Sequence, residues 1–167
     1  MRRKRKGFTF IELLVVVSLI AVLAAILFPV FARAREKGFT AECLHHLQQI
    51  AIALQLYAAD HFGHYPPRDN DWEPLFPYLR DRSVLVCPAP TAEENFAGRN
   101  DPLVGPGYRY KGGLCHDDWP EIPLASDSAP WHSGGRNFLF VNGRVKWFHD
   151  QDGQKFRLGE RIPLPGG

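Results

Sequence analysis

One carboxylate, that of Glu12, lies inside an otherwise apolar segment and is the side chain whose chemistry most needs an explanation. From Phe8 to Phe31 the only other polar side chains are those of Thr9 and Ser18. A charged side chain at the centre of a membrane helix costs about 2.5–3.5 kcal/mol on insertion scales, and it usually marks a functional position. The sequence therefore predicts a partner group that compensates for the charge of Glu12.

The flanks of this segment predict where it lies in the cell. Five basic residues precede it in the run MRRKRKG at positions 1–7. Residues 8–31 would span about 36 Å as a helix, which is enough for a hydrocarbon core of about 30 Å. Basic flanks mark the cytoplasmic side, so we expect a single-pass inner-membrane protein whose head is exported to the periplasm or the cell exterior. A cleaved secretory signal is disfavoured because the apolar run is longer than the usual 7–15 residues.

The run GFTFIE at positions 7–12, followed by an unbroken apolar helix, resembles the N-terminal signal of type IV pilins and type II secretion pseudopilins. The resemblance implies that a prepilin peptidase cuts between Gly7 and Phe8 and then methylates the new amino group of Phe8. It also implies a docking role for Glu12, which would pair with that amine on an adjacent subunit. Removing one partner of such a buried pair typically costs about 3–5 kcal/mol.

The same resemblance implies a structural subunit rather than an enzyme. Its partners would be the prepilin peptidase, other pilin or pseudopilin subunits in a helical filament, the inner-membrane assembly platform, and membrane lipid before assembly. Removal of residues 1–7 takes five of the 20 basic side chains and none of the 18 acidic ones, so the net charge changes from +2 to −3. No direct nucleic-acid site is evident, since no basic patch with interleaved aromatic residues remains. The alternative is a membrane-anchored envelope sensor or ligand-binding module.

Hydrophobic periodicity predicts that the helix continues beyond the membrane. Over residues 32–60 apolar side chains recur at spacings of three and four, which gives one core-facing stripe. Its members are Leu44, Leu47, Ala51, Leu54 and Ala58. Gly63 and the prolines after it predict that the helix ends near Asp60.

The whole chain is therefore predicted as an α+β, pilin-like fold. Residues 1–7 form a cleaved leader, residues 8–31 the transmembrane and assembly half of the long helix, and residues 32–60 its amphipathic half. Residues 61–149 form a globular head in which a small antiparallel sheet packs on the helix, and residues 150–167 form a loose tail. Shorter elements are predicted as a helical turn within 71–80 and strands at 84–86, 108–110 and 122–127.

The stretch NFLFVNGRVKWF, residues 137–148, predicts a β-hairpin. Asn142-Gly143 favours a two-residue type I′ turn, because both central residues must accept positive φ. Such a turn pairs Phe140 with Val145. Alternation then places four side chains on the face that covers the long helix, namely Phe138, Phe140, Val145 and Trp147.

His132, nine intervening residues and Asn142-Gly143 are similar to a histidine–nine–Asp-Gly signature of some pilin-like proteins. Asn142 departs from that signature, although Asn serves the same turn geometry. For His132 we expect a loop-fixing hydrogen bond. Catalysis with Ser128 or Ser133 and Asp127 is disfavoured, because closeness in sequence is no sign of a triad.

Cysteines and carboxylates complete the candidate sites. Cys43 is predicted as a buried free thiol, and Cys87–Cys115 as the most plausible bridge, since disulfides persist on the exported side. Asp150 and Asp152 place two carboxylates in a turn, as calcium requires, but the rest of a calcium loop is lacking. An ordinary acidic turn is favoured, and no metal or other cofactor is predicted.

Overall fold

The structure, a computed structural model of the 167-residue chain, describes residues 8–88, 107–130, 134–153 and 156–161. A long helix, α1 (Phe10–Asp60), is followed by short 3₁₀ helices at Glu73–Leu75 and Arg82–Leu85. The remaining elements are the strands β1 (Tyr108–Tyr110), β2 (Pro123–Asp127), β3 (Gly135–Phe140) and β4 (Val145–His149), and the one-turn helix α2 (Asp150–Gly153). The predicted α+β arrangement of one long N-terminal helix and a small antiparallel sheet is confirmed.

The chain divides into two compact units, Met1–Arg35 and Glu36–Gly167. In the second unit, α1 buries one stripe of small and apolar side chains at three- and four-residue spacings. The buried members are Cys43, Leu47, Ile50, Ala51, Ala53, Leu54 and Ala58. All of them except Ala53 belong to the same core as the buried side chains of the sheet and of the helical turn around Trp72, including Leu75, Tyr110, Leu124 and Leu139.

The end of α1 departs from the prediction in one detail. The N–H of Gly63 donates to the carbonyl of Ala58 at 2.8 Å. This is the 6→1 hydrogen bond of a Schellman motif, which commonly ends helices. The residue that first takes the left-handed conformation is Phe62, with φ +56°, and Gly63 follows with φ +84°. A residue with a Cβ is strained at positive φ, because the Cβ comes too close to the following carbonyl oxygen. A bulky residue therefore occupies a position that favours glycine.

This helix end gives a testable expectation. Phe62→Gly is expected to raise the free energy of unfolding by about 0.5–1 kcal/mol, because it relieves the backbone strain. Little packing is lost, since the Phe62 side chain is 97% exposed. Chemical unfolding of the full chain in detergent, followed by tryptophan fluorescence, measures the change. Phe62→Ala is the matched control: it removes the ring and keeps the strain, so an equal gain there would contradict this account.

The sheet has the strand order β1-β2-β3-β4, and every neighbouring pair is antiparallel. All five residues of β2 are buried, as expected for a central strand covered on both faces. The predicted strands at 108–110 and 122–127 and the helical turn within 71–80 are confirmed.

The predicted strand at 84–86 is wrong. Those residues lie in or just after the second 3₁₀ helix, whose first turn is capped by Asp81 through hydrogen bonds from Ser83 N and Oγ.

The hairpin forms where it was predicted, but its turn and register are different. The carbonyl of Phe140 accepts from Gly143 N, and Phe140 N donates to the carbonyl of Arg144, both at 2.9 Å. Gly143 has φ +76°, whereas Asn142 is not among the residues with positive φ. This is a three-residue connection, a type I turn closed by a left-handed glycine bulge, and not a type I′ turn.

The extra loop residue shifts the pairing by one position, so Leu139 pairs with Val145 and Phe138 with Lys146. When one strand shifts by one residue relative to its partner, every side chain of that strand moves to the opposite face of the sheet. Leu139 and Val145, rather than Phe138 and Phe140, therefore face the helix core. The predicted inner face was correct for Val145 and wrong for both phenylalanines and for Trp147, which is 40% exposed and not part of the core.

The displaced phenylalanines form a second aromatic cluster with part of the predicted tail. The ring of Phe156 lies edge-on to Phe138 and Phe148, with centroid distances of 5.6 and 4.7 Å. Three residues later, Gly159 N donates to the carbonyl of Pro123 at 2.9 Å. Residues 156–161 thus pack on the outer face of the sheet and are not a loose tail.

Candidate functional site

Glu12 lies at the very start of α1, and its carboxylate caps the helix. Thr9 precedes the first helical residue and donates to Glu12 Oε2 from its backbone N (2.9 Å) and from its hydroxyl (2.8 Å). In return, Glu12 N donates to Thr9 Oγ1 at 3.3 Å. This reciprocal arrangement is a capping box, with Thr at the cap and Glu three residues later. The N-terminal end of a helix also favours a negative charge.

The cap leaves part of the carboxylate available. Both bonds from Thr9 end on Oε2, and no described residue donates to the second oxygen, Oε1. Glu12 can therefore keep its helix cap and accept a further, external donor at the same time. No role was predicted for Thr9 from the sequence. The T-x-x-E spacing was the signal that could have identified its role.

The helix beyond Glu12 exposes a continuous apolar surface. From Phe8 to Phe31 the large apolar side chains are 46–77% exposed. Among the described residues, α1 is the one helix that is long and apolar enough to cross a membrane by length and composition. Exposed apolar surface of this extent must be covered by lipid or by other apolar helices.

The residues of the C-terminal signature are only partly described. Asn142 and Gly143 form the hairpin turn, in which Asn142 Oδ1 accepts from Arg144 N at 3.0 Å. An aspartate carboxylate would offer the same acceptor, so the substitution preserves the turn. His132 lies outside the described residues, as does Gly7 of the predicted cut site.

A buried polar cluster lies where β2 and β3 meet α1. Asp127 is fully buried, and its Oδ2 accepts from Asn137 N at 2.7 Å and Asn137 Nδ2 at 3.0 Å. Its Oδ1 accepts from the Cys43 thiol at 3.0 Å. The Tyr108 hydroxyl lies 3.2 Å from the Cys43 sulfur. Burial first, and then Cys43, raise the pKa of Tyr108, so the hydroxyl stays protonated.

The three cysteines are not arranged as predicted. None of the three is in a disulfide in the structure, so the predicted Cys87–Cys115 bridge is not formed. Cys87 lies in the core with its sulfur 4.0 Å from that of Cys43, and both are buried. Cys115 is half-buried in another segment, where its backbone pairs with His64. The prediction of Cys43 as a buried free thiol agrees with this structure.

Of the two carboxylates considered as calcium ligands, that of Asp150 is in an ion pair and that of Asp152 is outside the described part of the structure. Asp150 Oδ1 accepts from Arg136 Nε at 3.1 Å, and the side chain of Asp152 is not among those described. Among the described residues, Cys115, His116 and Asp117 also place their potential ligand atoms within 4.8 Å of one another, a grouping that was not predicted from the sequence. His116 and Asp117 are exposed, and their side chains contact each other at 3.0 Å.

Two open clefts flank the end of α1 and bear on the alternative of a ligand-binding module. Their volumes are ≈ 340 and ≈ 440 Å³, and Tyr65 lines both. Burial first, and then the nearby Cys115 and Asp118, raise the pKa of the Tyr65 hydroxyl. A protonated phenol among mainly apolar side chains does not by itself define a ligand.

Comparison with known proteins first places the N-terminal segment in a class. Residues 2–28 match the family model of the prokaryotic N-terminal methylation motif. This is the segment that contains Glu12, its cap and the exposed apolar surface. The predicted resemblance to proteins with a prepilin-type cleavage and methylation signal is confirmed over these residues.

Particular relatives share more of the chain. It is 34% identical over 74 residues to the type II secretion system core protein G of Pseudomonas aeruginosa, covering 44% of this chain and 51% of the relative. It is 38% identical over 58 residues to the type IV wide pilus major component PilA4 of Thermus thermophilus, covering 35% and 44%. For the type II secretion system core protein G of Escherichia coli the identity is 32% over 72 residues, covering 43% and 49%. The chain thus spans about half the length of the curated relatives it matches, and no solved structure matches it at a significant level.

Proposed function

We propose that this chain is a structural subunit, a pilin or pseudopilin, of a type IV pilus or type II secretion filament. The observation that carries the proposal is the placement of Glu12 at the start of an exposed apolar helix, inside a segment that matches the methylation motif. The similarity to a secretion core protein and to a pilus component supports the same class. The chain is processed by an enzyme and is not one itself.

Processing prepares the subunit for docking. A prepilin peptidase cuts between Gly7 and Phe8, removes the basic leader and methylates the new amine of Phe8. That cationic amine is costly within apolar surroundings, as is the carboxylate of Glu12. When two subunits associate, the amine of one reaches the carboxylate of the other, and each charge gains a partner. Oε1 of Glu12, to which no described residue donates, is the acceptor that this contact requires.

Assembly then covers the apolar surface of α1. Before assembly, lipid of the inner membrane surrounds residues 8–31, and the head lies on the exported side because the basic leader stays in the cytoplasm. In the filament, helices of neighbouring subunits replace the lipid, and an inner-membrane assembly platform inserts each subunit. Packing of apolar helices against one another explains why this surface carries no polar groups beyond Thr9, Glu12 and Ser18.

The cut site gives a direct test of the proposal. The wild-type chain is expected to yield a mature protein that begins at N-methylated Phe8, as intact-mass and N-terminal peptide measurements would show. Gly7→Leu is expected to keep the full precursor mass, because a bulky side chain blocks close approach of the peptidase to the junction. Gly7→Ala is the control of intermediate size and is expected to retain at least partial cleavage.

Two results would contradict this assignment. Removal of seven residues from the Gly7→Leu chain would show that the peptidase does not read this glycine. An unprocessed wild-type chain in cells that process other prepilins would favour the membrane-anchored sensor or binding module instead.

A further inference from the structure

The two buried cysteines come from parts of the chain that are far apart in sequence. Cys43 is in the interior of α1, and Cys87 follows the second 3₁₀ helix, 44 positions later. Their sulfurs are 4.0 Å apart, and the residues are 0% and 1% exposed. A disulfide has its sulfurs about 2.05 Å apart, so the two atoms must approach by roughly 2 Å. Movements of this size are within the range of side-chain rotation.

The backbone on both sides of this pair is held in place. Cys43 is fixed by the helix, and its carbonyl lies 3.5 Å from the Tyr108 hydroxyl. The peptide of Cys87 packs directly on Gly107, where an added Cβ would lie 2.4 Å from Cys87 N. Only a glycine permits this approach. The fold therefore brings the two side chains together without any contribution from a covalent bond.

We propose that Cys43 and Cys87 are joined by a disulfide in the mature head, an inference that rests on the export of the head under the proposed function. Exported compartments allow disulfides to form and persist. The pair replaces Cys87–Cys115 as the covalent link of the domain. Cys115 then remains as the single free thiol of the chain.

The oxidation requires an external acceptor, which we identify by class as a thiol oxidase of the exported compartment that carries its own disulfide. The thiolate of one cysteine attacks that disulfide, forms a mixed disulfide and releases one oxidase thiolate. The second cysteine thiolate attacks the mixed disulfide, forms the Cys43–Cys87 bond and releases the other oxidase thiolate. Two electrons pass to the oxidase, and the two thiol protons end on its sulfurs.

The environment of Cys43 places this reaction before the core closes. In the folded head the contact with Cys87, followed by burial and the nearby Asp127 carboxylate, raises the pKa of the Cys43 thiol well above its usual range. The attacking species in exchange is the thiolate. A closed head would therefore react slowly. The link forms while the head folds, and burial then protects it from reduction.

The test uses the full chain in two parallel arms. In the first arm, cells that express it are quenched in acid, the protein is denatured, and free thiols are alkylated before mass spectrometry. Protease added to intact spheroplasts reports whether the head is exported. In the second arm, the purified chain in detergent is unfolded under reducing conditions and refolded in a glutathione redox buffer. Cys115→Ser, Cys43→Ser and Cys87→Ser are carried through both arms.

We expect one alkylated cysteine, Cys115, before reduction and three after it, together with a reducible peptide that joins Cys43 to Cys87. Cys115→Ser is expected to keep the link, and each of the other two variants to lose it. Reduction is expected to lower the melting temperature of the Cys115→Ser chain by about 10 °C, since the bond closes a long loop. The Cys43→Ser chain is expected to show no such shift.

The two arms separate failure of this inference from failure of the proposed function. A refolded chain with three reactive thiols, or with Cys87 linked to Cys115, would overturn the pair wherever the head lies. An exported head whose three thiols are all alkylated without reductant would overturn it as well. If the refolded chain forms the Cys43–Cys87 disulfide but the head in spheroplasts is protected from protease, the disulfide is supported and the proposed export of the head is wrong.

Discussion

Subunits that carry Glu12→Gln are expected to enter the membrane and to be processed at Gly7–Phe8, yet to remain outside filaments. Gln keeps an acceptor for the Thr9 N–H, because capping boxes use either Glu or Gln, so the start of α1 should be unchanged. Only the charge is lost. The amine of a neighbouring Phe8 would then have no counter-charge on entering the filament, which opposes association by about 3–5 kcal/mol.

Thr9→Val is the matched control for the helix cap. It removes the hydroxyl that donates to Glu12 Oε2 and accepts from Glu12 N, and it keeps the carboxylate charge. Loss of a cap costs about 0.5–2 kcal/mol, so filaments are expected to form in reduced amount. Each variant is expressed as the only copy, and the membrane and sheared-filament fractions are compared by immunoblot.

The two variants distinguish a docking charge from a helix cap. Processed Glu12→Gln protein confined to the membrane, beside assembling Thr9→Val protein, is the outcome that pairing requires. Normal amounts of filament from Glu12→Gln subunits would show that the charge does not drive assembly. If Thr9→Val subunits form no filaments and Glu12→Gln subunits do, Glu12 acts in assembly by capping the helix and not by its charge.

Helical and strand patterns were read correctly from the sequence where one period dominates. The stripe of residues at Leu47, Ala51, Leu54 and Ala58 specified both the second half of α1 and its buried face. The capping box of Thr9 and Glu12 is equally local, and its T-x-x-E spacing is visible in the sequence although it was not predicted. Information of this kind lies within a few residues of the chain, so the sequence alone can supply it.

The errors occurred where two local solutions have similar energies or where distant segments meet. Asn142-Gly143 is compatible with a two-residue type I′ turn and with a type I turn plus glycine bulge, and the choice between them moves Phe138 and Phe140 to the other face. Val84 and Leu85 have strand propensity, but the local hydrogen bonds that Asp81 accepts from Ser83 favour a 3₁₀ turn. The proximity of the Cys87 and Cys43 side chains arises from the tertiary structure, and the spacing of the cysteines in the sequence does not encode it.

Asp127→Ala is expected to destabilise the head strongly, because its buried carboxylate is the shared acceptor of several buried donors. Measured in the reduced chain, the variant would leave Asn137 N–H, Asn137 Nδ2 and the Cys43 thiol without their acceptor. Each buried group left unsatisfied costs about 1–3 kcal/mol, so the free energy of unfolding should fall by about 3 kcal/mol or more. Asn137 Oδ1 is already buried without a partner in the described part of the chain, so loss of the Nδ2 bond would leave both polar atoms of this side chain unsatisfied there.

Asp127→Asn separates hydrogen bonding from charge in this cluster. Its carbonyl can still accept from Asn137 N, but its amide cannot accept from the Cys43 thiol of the reduced chain, so a loss of about 1–2 kcal/mol is expected under reducing conditions. Arg109→Ala, on the exposed face of β1, is the control and should stay within about 0.5 kcal/mol of wild type. Chemical unfolding of the full chain in detergent, reported by the fluorescence of buried Trp72, gives all three values. A wild-type unfolding curve for Asp127→Ala would mean that water or other groups replace the carboxylate, and that the strands β2 and β3 do not depend on it for their contact with α1.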